Sequence, residues 1–337
     1  MNENDQALLQ LGKELRAQNY RFITTTPATH HRVSARMISA ASPLTRIFGW
    51  NLPFAESELP PRIFALLKEA RELESNDGCL RSKVRFSTLD EQLFVHSGFP
   101  TEAADSVFFG PDTYRFVRAL RAAVADLQTK GPLTLLDVGA GSGAGAICAA
   151  RFLNGAVTQV IMSDINPRAL RYSAINAALN RIAGAKTLRS DLLKDLEKVG
   201  DLVIANPPYL VDPAHRLYRH GGGEFGCDLS IRIVEQALGR LRPGGRLFLY
   251  TGTPVVNGTD LFRAAIEPRL RAANCSYAYE ELDPDVFGEE LDNPPYDRVD
   301  RIAVIGLTVN IEKESRHGRY QNRSLPRARA AALATWS

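Results

Sequence analysis

The chain has 337 residues, more than one hydrophobic core ordinarily supports, so a catalytic-size domain with a smaller companion is expected. Apolar residues make up 45% and charged residues 23%, the balance of an ordinary globular protein, and no run approaches the roughly 18 uninterrupted apolar residues of a membrane span. Net charge is only +3, and six basic against two acidic residues from Ile311 onward leave −1 on the first 310, which excludes a broadly basic nucleic-acid platform.

The polar N-terminus, MNENDQ, has no apolar stretch of a signal peptide behind it, so a cytoplasmic location is expected. Cys79, Cys148, Cys227 and Cys275 are scattered, with no CxxC pair and no histidine at ligand spacing. Neither a disulfide framework nor a metal site is expected.

Residues 5–18 have the apolar spacing of an amphipathic helix, and 60–73 that of another. Asn76-Asp77-Gly78 then breaks the chain before two β-rich runs, 80–87 and 92–96. A helix followed by a hairpin resembles the second half of a winged helix; a plain packing or lid domain has the same pattern. Residues 1–105 hold twelve basic and thirteen acidic side chains, without the basic excess that gripping phosphates requires. The expectation is a smaller N-terminal α+β domain, 1–105, that folds as its own unit and acts as a lid or substrate selector.

From about 131 to 309, within an expected larger domain of residues 106–310, short apolar runs alternate with helix-length amphipathic segments. Strands are expected at 134–138, 160–164, 185–189, 202–205, 246–251, 276–281 and 301–308, and helices at 143–153, 167–180, 228–241 and 260–273. The fold class is α/β: a doubly wound, seven-stranded, mostly parallel sheet.

LLDVGAGSGAG, residues 135–145, follows the first of these strands and opens a helix. Gly139, Gly141 and Gly143 permit a sharp turn and leave no Cβ between backbone and ligand. The spacing is GxGxG with Asp137 two residues ahead, not the GxGxxG of a dinucleotide fingerprint; the acid would repel a phosphate but suits an ammonium. A tight structural turn would use the same glycines, so the next two strand ends decide. Asp164 closes VIMSD, where a carboxylate can accept both ribose hydroxyls; Asp191 in LRSDLL, with the Leu192 backbone, can meet an adenine edge. Polar groups at the carboxyl ends of successive strands mark the crevice in which open α/β sheets bind ligands.

On these residues the chain resembles the class I S-adenosylmethionine-dependent methyltransferases, over roughly 108–309. The resemblance implies a Rossmann-like methyltransferase fold with an antiparallel seventh strand. It also implies that S-adenosylmethionine is held by Asp137, Gly139, Gly141, Gly143, Asp164, Asp191 and Leu192, with Asn206 beside it.

VIANPPYL, 203–210, ends the fourth strand at the same edge. Asn206 offers an amide oxygen, and the Pro207 carbonyl stays out of any ladder because Pro208 has no N–H and holds the chain extended. Two fixed acceptors can grip both protons of a planar NH₂ group, bend the nitrogen toward tetrahedral and free its lone pair, while Tyr209 lies against the planar group. A strand-ending turn would explain the prolines but not the flanking Asn and Tyr.

The motif is similar to that of the NPPY branch, and in particular of the HemK/PrmC glutamine methyltransferases. GGGEFGCDLSIRIVEQALGRLRPGGRLFLYTG, 221–252, follows that family's loop, helix, PGG turn and fifth strand, and FFGPDTYRF, 108–116, occupies the place of its covering segment. The resemblance implies N-methylation of an amide or exocyclic amine, foremost a protein glutamine, with Asn206, Pro207 and Tyr209 catalytic and Phe109, Tyr114 and Pro208 at the substrate. YTG after the fifth strand departs from the family, as does the N-terminal region, which lacks its helical bundle. The other acceptors weighed are a base amine of RNA or DNA and a small metabolite, including cyclisation of the cofactor by its own amine. From outside enzymology comes a non-catalytic cofactor-binding module. A protein or small-molecule partner is favoured over nucleic acid, and residues 311–337 are expected to form a basic, disordered tail.

Overall fold

A computed structural model describes residues 1–36, 41–76, 78–127, 132–196 and 200–313. The tail expected at 311–337 lies outside the described residues from 314 onward, and Ile311 itself still belongs to a strand.

The N-terminal region comprises α1 (Glu3–Ala17), α2 (Pro27–Ser34), α3 (Pro61–Glu69), a hairpin of β1 (Leu73–Asn76) with β2 (Cys79–Ser82), and a second hairpin of β3 (Val84–Leu89) with β4 (Gln92–Ser97). The single expected β-run 80–87 is therefore split between two hairpins. Helix α4 (Pro111–Val124) leads into β5 (Leu133–Val138), α5 (Ala144–Phe152), β6 (Val157–Asp164), α6 (Pro167–Leu179), β7 (Ala185–Arg189) and β8 (Leu202–Ala205). Next come α7 (Asp228–Leu238), β9 (Arg246–Val256), β10 (Thr259–Asp260), α8 (Leu261–Ala272), β11 (Cys275–Asp283) and β12 (Arg301–Ile311).

The large sheet runs β11-β12-β9-β8-β5-β6-β7, with the short β10 paired to β9. Its pairs from β7 to β9 are parallel, and β12 is antiparallel to both β9 and β11. Period-two alternation distributes the strand side chains between two layers. Leu135, Leu202 and Ile204 pack with α4 and α5, whereas Leu136, Val203 and Ala205 pack with α7 and α8. Strand order reverses between β5 and β8, the switch point at which such sheets bind ligands.

The N-terminal core is not closed on itself. Its buried cluster, from Leu8 and Leu11 to Phe86 and Val95, takes in Ala169, Tyr172, Ile175 and Leu179 of α6. Asn176 of α6 and Asn180 at its C-cap satisfy the edge of β4: Asn176 exchanges hydrogen bonds with the Val95 backbone and Asn180 with that of Leu93. Arg171 of α6 donates to Asp5 at 2.6 Å and to Glu72 at 2.5 Å. Among the described residues, no helix is long and apolar enough to cross a membrane, and no group of three or more His, Cys, Asp or Glu could hold a metal ion.

Candidate active site

The carboxyl ends of β5, β6, β7 and β8 open into a cavity of about 740 Å³. The N-terminal region supplies Thr26, Pro27, His31 and Phe99 to its wall, and the β11–β12 connection supplies Asp285, Val286, Phe287 and Glu289.

Gly139 and Gly141 have φ of +69° and +54°, and a Cβ at either would meet nothing within 4 Å, so their backbone faces open space. Gly143 serves packing instead: its Cβ would press on Met162 Sδ at 3.0 Å and Ser173 Cβ at 3.1 Å, so its absence lets α6 lie close. Asp164 Oδ2 accepts the Gly141 N–H and Oδ1 the Asn166 N–H, each at 2.9 Å, which ties the glycine turn to the end of β6. Asp137 is 2% exposed, with Oδ2 accepting the Ala146 N–H at 2.9 Å and no cation paired to it among the described residues. Burial pushes its carboxyl up to about 7. Asp191 also lines the cavity, but Lys194 and Arg232 engage its carboxylate from outside and hold its pKa down, the Lys194 hydrogen bond being the larger cause. Leu192 beside it sits at φ +55°.

Asn206, Pro207, Pro208 and Tyr209 all line the cavity at the end of β8. Their organiser is Asp112, in the first turn of α4 and 8% exposed. Asp112 Oδ1 accepts the hydroxyls of Tyr209 at 2.6 Å and Tyr250 at 2.9 Å, and Oδ2 accepts from Asn206 Nδ2 at 3.1 Å. Within YTG at 250–252, Tyr250 reaches Asp112, the buried Thr251 shares a hydrogen bond with Ser230 at 2.7 Å, and a Cβ on Gly252 would fall 2.2 Å from Tyr209 Cδ2, so only glycine admits that ring.

Phe109 and Tyr114 are not brought to the cavity. Phe109 is buried, stacked on His96 with centroids 5.0 Å apart, and the Tyr114 hydroxyl donates to the Thr88 carbonyl and accepts the Thr24 N–H. Their residue spacing suited a covering segment, but apolar packing with β3 and β4 claims both rings. Phe108 lines the cavity in their place, stacked on Tyr218 at 5.6 Å. Sequence reasoning also passed over Ile165, which is 45% exposed in the cavity wall directly after Asp164. A second NPPY occurs at 293–296. It follows no core strand; its Tyr296 is buried, accepts the Val211 N–H and donates to the Phe225 carbonyl, bracing the loop beyond the first motif.

A family model described as "Methyltransferase small domain" matches residues 118–257. Release factor glutamine methyltransferase of Deinococcus radiodurans is 34% identical over 145 residues, 39% of this chain and 49% of that protein. Methyltransferase HEMK2 of Homo sapiens is 33% identical over 151 residues, 42% of this chain and 68% of that protein. The chain belongs to the HemK/PrmC family of class I S-adenosylmethionine-dependent methyltransferases. The match spans about half the length of the bacterial HemK-type relatives. Among solved structures, Trm5 of Methanocaldococcus jannaschii in complex with adenosine aligns with a TM-score of 0.46 at 18% identity, over 69% of this chain and 57% of that one.

The crevice of this HemK-type chain fits the family's cofactor, S-adenosylmethionine. Its open glycine backbone, its buried Asp137 carboxyl, which has no cation beside it among the described residues, and its exposed apolar Ile165 suit, in turn, close approach, an ammonium and the face of an adenine.

Proposed function

We propose that the chain transfers the cofactor methyl group to a planar amide nitrogen, and that the acceptor is a glutamine side chain of a protein such as a release factor. The observation that carries this reading is the Asn206 amide. Its NH₂ end is committed to Asp112, and its Oδ1 accepts from no described group although the side chain lines the cavity. That oxygen and the Pro207 carbonyl are the two acceptors an NH₂ group requires, and the Deinococcus radiodurans relative is a release factor glutamine methyltransferase.

In this reading Asp137 takes the cofactor's ammonium, Asp164 the ribose hydroxyls, and the Leu192 backbone the adenine edge. Bound S-adenosylmethionine supplies an electrophilic methyl on a sulfonium. Asn206 and Pro207 hold the acceptor's N–H groups so that the lone pair turns toward that methyl, an interaction strengthened as the nitrogen pyramidalises. Tyr209 keeps the acceptor plane in register, and no strong base is needed because the proton can leave after transfer. Charge at the cavity disfavours phosphates: Arg115, Arg216 and Arg219 are paired to Asp283, Asp212 and Glu290, whereas Glu102, Asp285 and Glu289 have no ion-pair partner among the described residues.

The presence of Thr26, Pro27, His31 and Phe99 in the wall favours a second reading, a small metabolite enclosed by the N-terminal region, or the cofactor's own amine as nucleophile. Incubation with methyl-labelled cofactor and a release factor, followed by mass spectrometry, separates the two. Label on a glutamine amide with S-adenosylhomocysteine as product supports the first. Methylthioadenosine without label on protein supports cyclisation and overturns it.

A further inference from the structure

We propose that Asp112 is a positioning residue that decides which end of the Asn206 amide faces the acceptor; the inference rests on the amide-gripping reading above. A primary amide is nearly symmetric in shape, so packing alone does not distinguish its oxygen from its nitrogen. The difference at this site is chemical. Both Asp112 oxygens accept, so the end of Asn206 turned to Asp112 is the NH₂, and Oδ1 is left for the substrate.

The same carboxylate is denied other uses. Tyr209 and Tyr250 both donate to Oδ1, from β8's motif and from β9, leaving Oδ2 to Asn206. Asp112 is thereby held between the motif at the end of β8 and the interior of β9, which the sheet fixes in place, and its own backbone is fixed by Pro111 at the start of α4. Phe108, Pro111 and Asp112 all line the cavity wall. One carboxylate thus ties three elements to the orientation of one amide. Burial of Asp112 strengthens these hydrogen bonds.

Asp112→Asn is the discriminating change. It preserves shape and still accepts the tyrosine hydroxyls, but its own NH₂ can now donate to Asn206 Oδ1 and occupy the acceptor needed by the substrate. Two readouts test it. In the ligand-free protein, the side-chain ¹⁵N–¹H₂ signal of Asn206, assigned by its loss in Asn206→Asp, is expected to show one proton protected from exchange and shifted downfield; Asp112→Asn should remove both features. The wild-type signature needs no acceptor and no Asp112 variant, so it stands even where the acceptor is misidentified or Asp112→Asn folds poorly. In turnover with S-adenosylmethionine and a release factor, Asp112→Asn is expected to lower kcat tenfold or more, with KM for the release factor and cofactor Kd each within about threefold of wild type. An unprotected Asn206 amide in the wild-type protein overturns the proposal, as does an unchanged amide signal or an unchanged kcat in a folded Asp112→Asn. Absence of methyl transfer to the release factor by the wild type, with the Asn206 signature intact, instead overturns only the acceptor.

Discussion

Asp137 and Asp164 close adjacent strands, and burial raises both carboxyl pKa values, Asp137 to about 7. A carboxyl whose folded pKa lies above its unfolded one, about 3.9, contributes stability in full below that value and loses it as pH rises through the folded pKa. The ligand-free protein at pH 8 therefore carries an ionised, buried Asp137 with one backbone N–H for company. Asp137→Asn should raise the melting temperature more at pH 8 than at pH 5 and yet weaken cofactor binding, because the amide cannot pair an ammonium. For the wild type, affinity should rise between about pH 6 and pH 8 as the carboxyl ionises, read by calorimetry. Asp164→Ala loses a hydrogen-bonded carboxylate worth about 1.5–3 kcal/mol, hence roughly tenfold or more in cofactor affinity. Unchanged binding in that variant would remove it from the ribose.

At the level of elements, the interior of β9 is tuned to the motif at the end of β8. Gly252→Ala places a Cβ where the Tyr209 ring now lies, 2.2 Å from Cδ2, and such overpacking costs about 1–3 kcal/mol. Turnover should fall with stability, since Tyr209 must move; a fully active Gly252→Ala with an unshifted melting temperature would contradict the packing described. The large sheet was legible because its buried strands are short apolar runs, each bounded by a turn or a helix signal. The N-terminal elements were less so. Leu73 continues the apolar spacing of the preceding helix, which hid β1, and α2 has only one buried residue, His30, to betray its face. Within the site, the acids and glycines were readable from their places at strand ends. Asp112 was not, because an acid in a first helical turn is ordinary helix chemistry, and its partners lie 94 to 138 residues away. The two NPPY stretches make the same point: identical letters at 206–209 and 293–296 serve different ends, and only the preceding core strand distinguishes them.

Over the whole molecule, the N-terminal region and the methyltransferase sheet share α6. The expectation that residues 1–105 form a unit by themselves meets a physical obstacle, because Tyr172, Ile175 and Leu179 complete their core. Asn176 also donates to the Ser142 carbonyl, linking β4 through α6 to the glycine turn. A chain beginning near Thr101 should therefore expose an apolar helix face, bind hydrophobic dyes and lose cofactor affinity together with turnover. Retention of wild-type affinity and a cooperative melt in that chain would show that the sheet does not need its partner.

In the proposed reaction the Asn206 oxygen grips the acceptor nitrogen's N–H as that nitrogen pyramidalises. This grip is tested most directly by single-turnover transfer from methyl-labelled S-adenosylmethionine to a release factor, comparing wild type with Asn206→Ala at saturating cofactor. Removing one of two acceptors should cost on the order of 3 kcal/mol, about a hundredfold in rate, with cofactor Kd within about threefold. Transfer at the wild-type rate by Asn206→Ala would contradict the account.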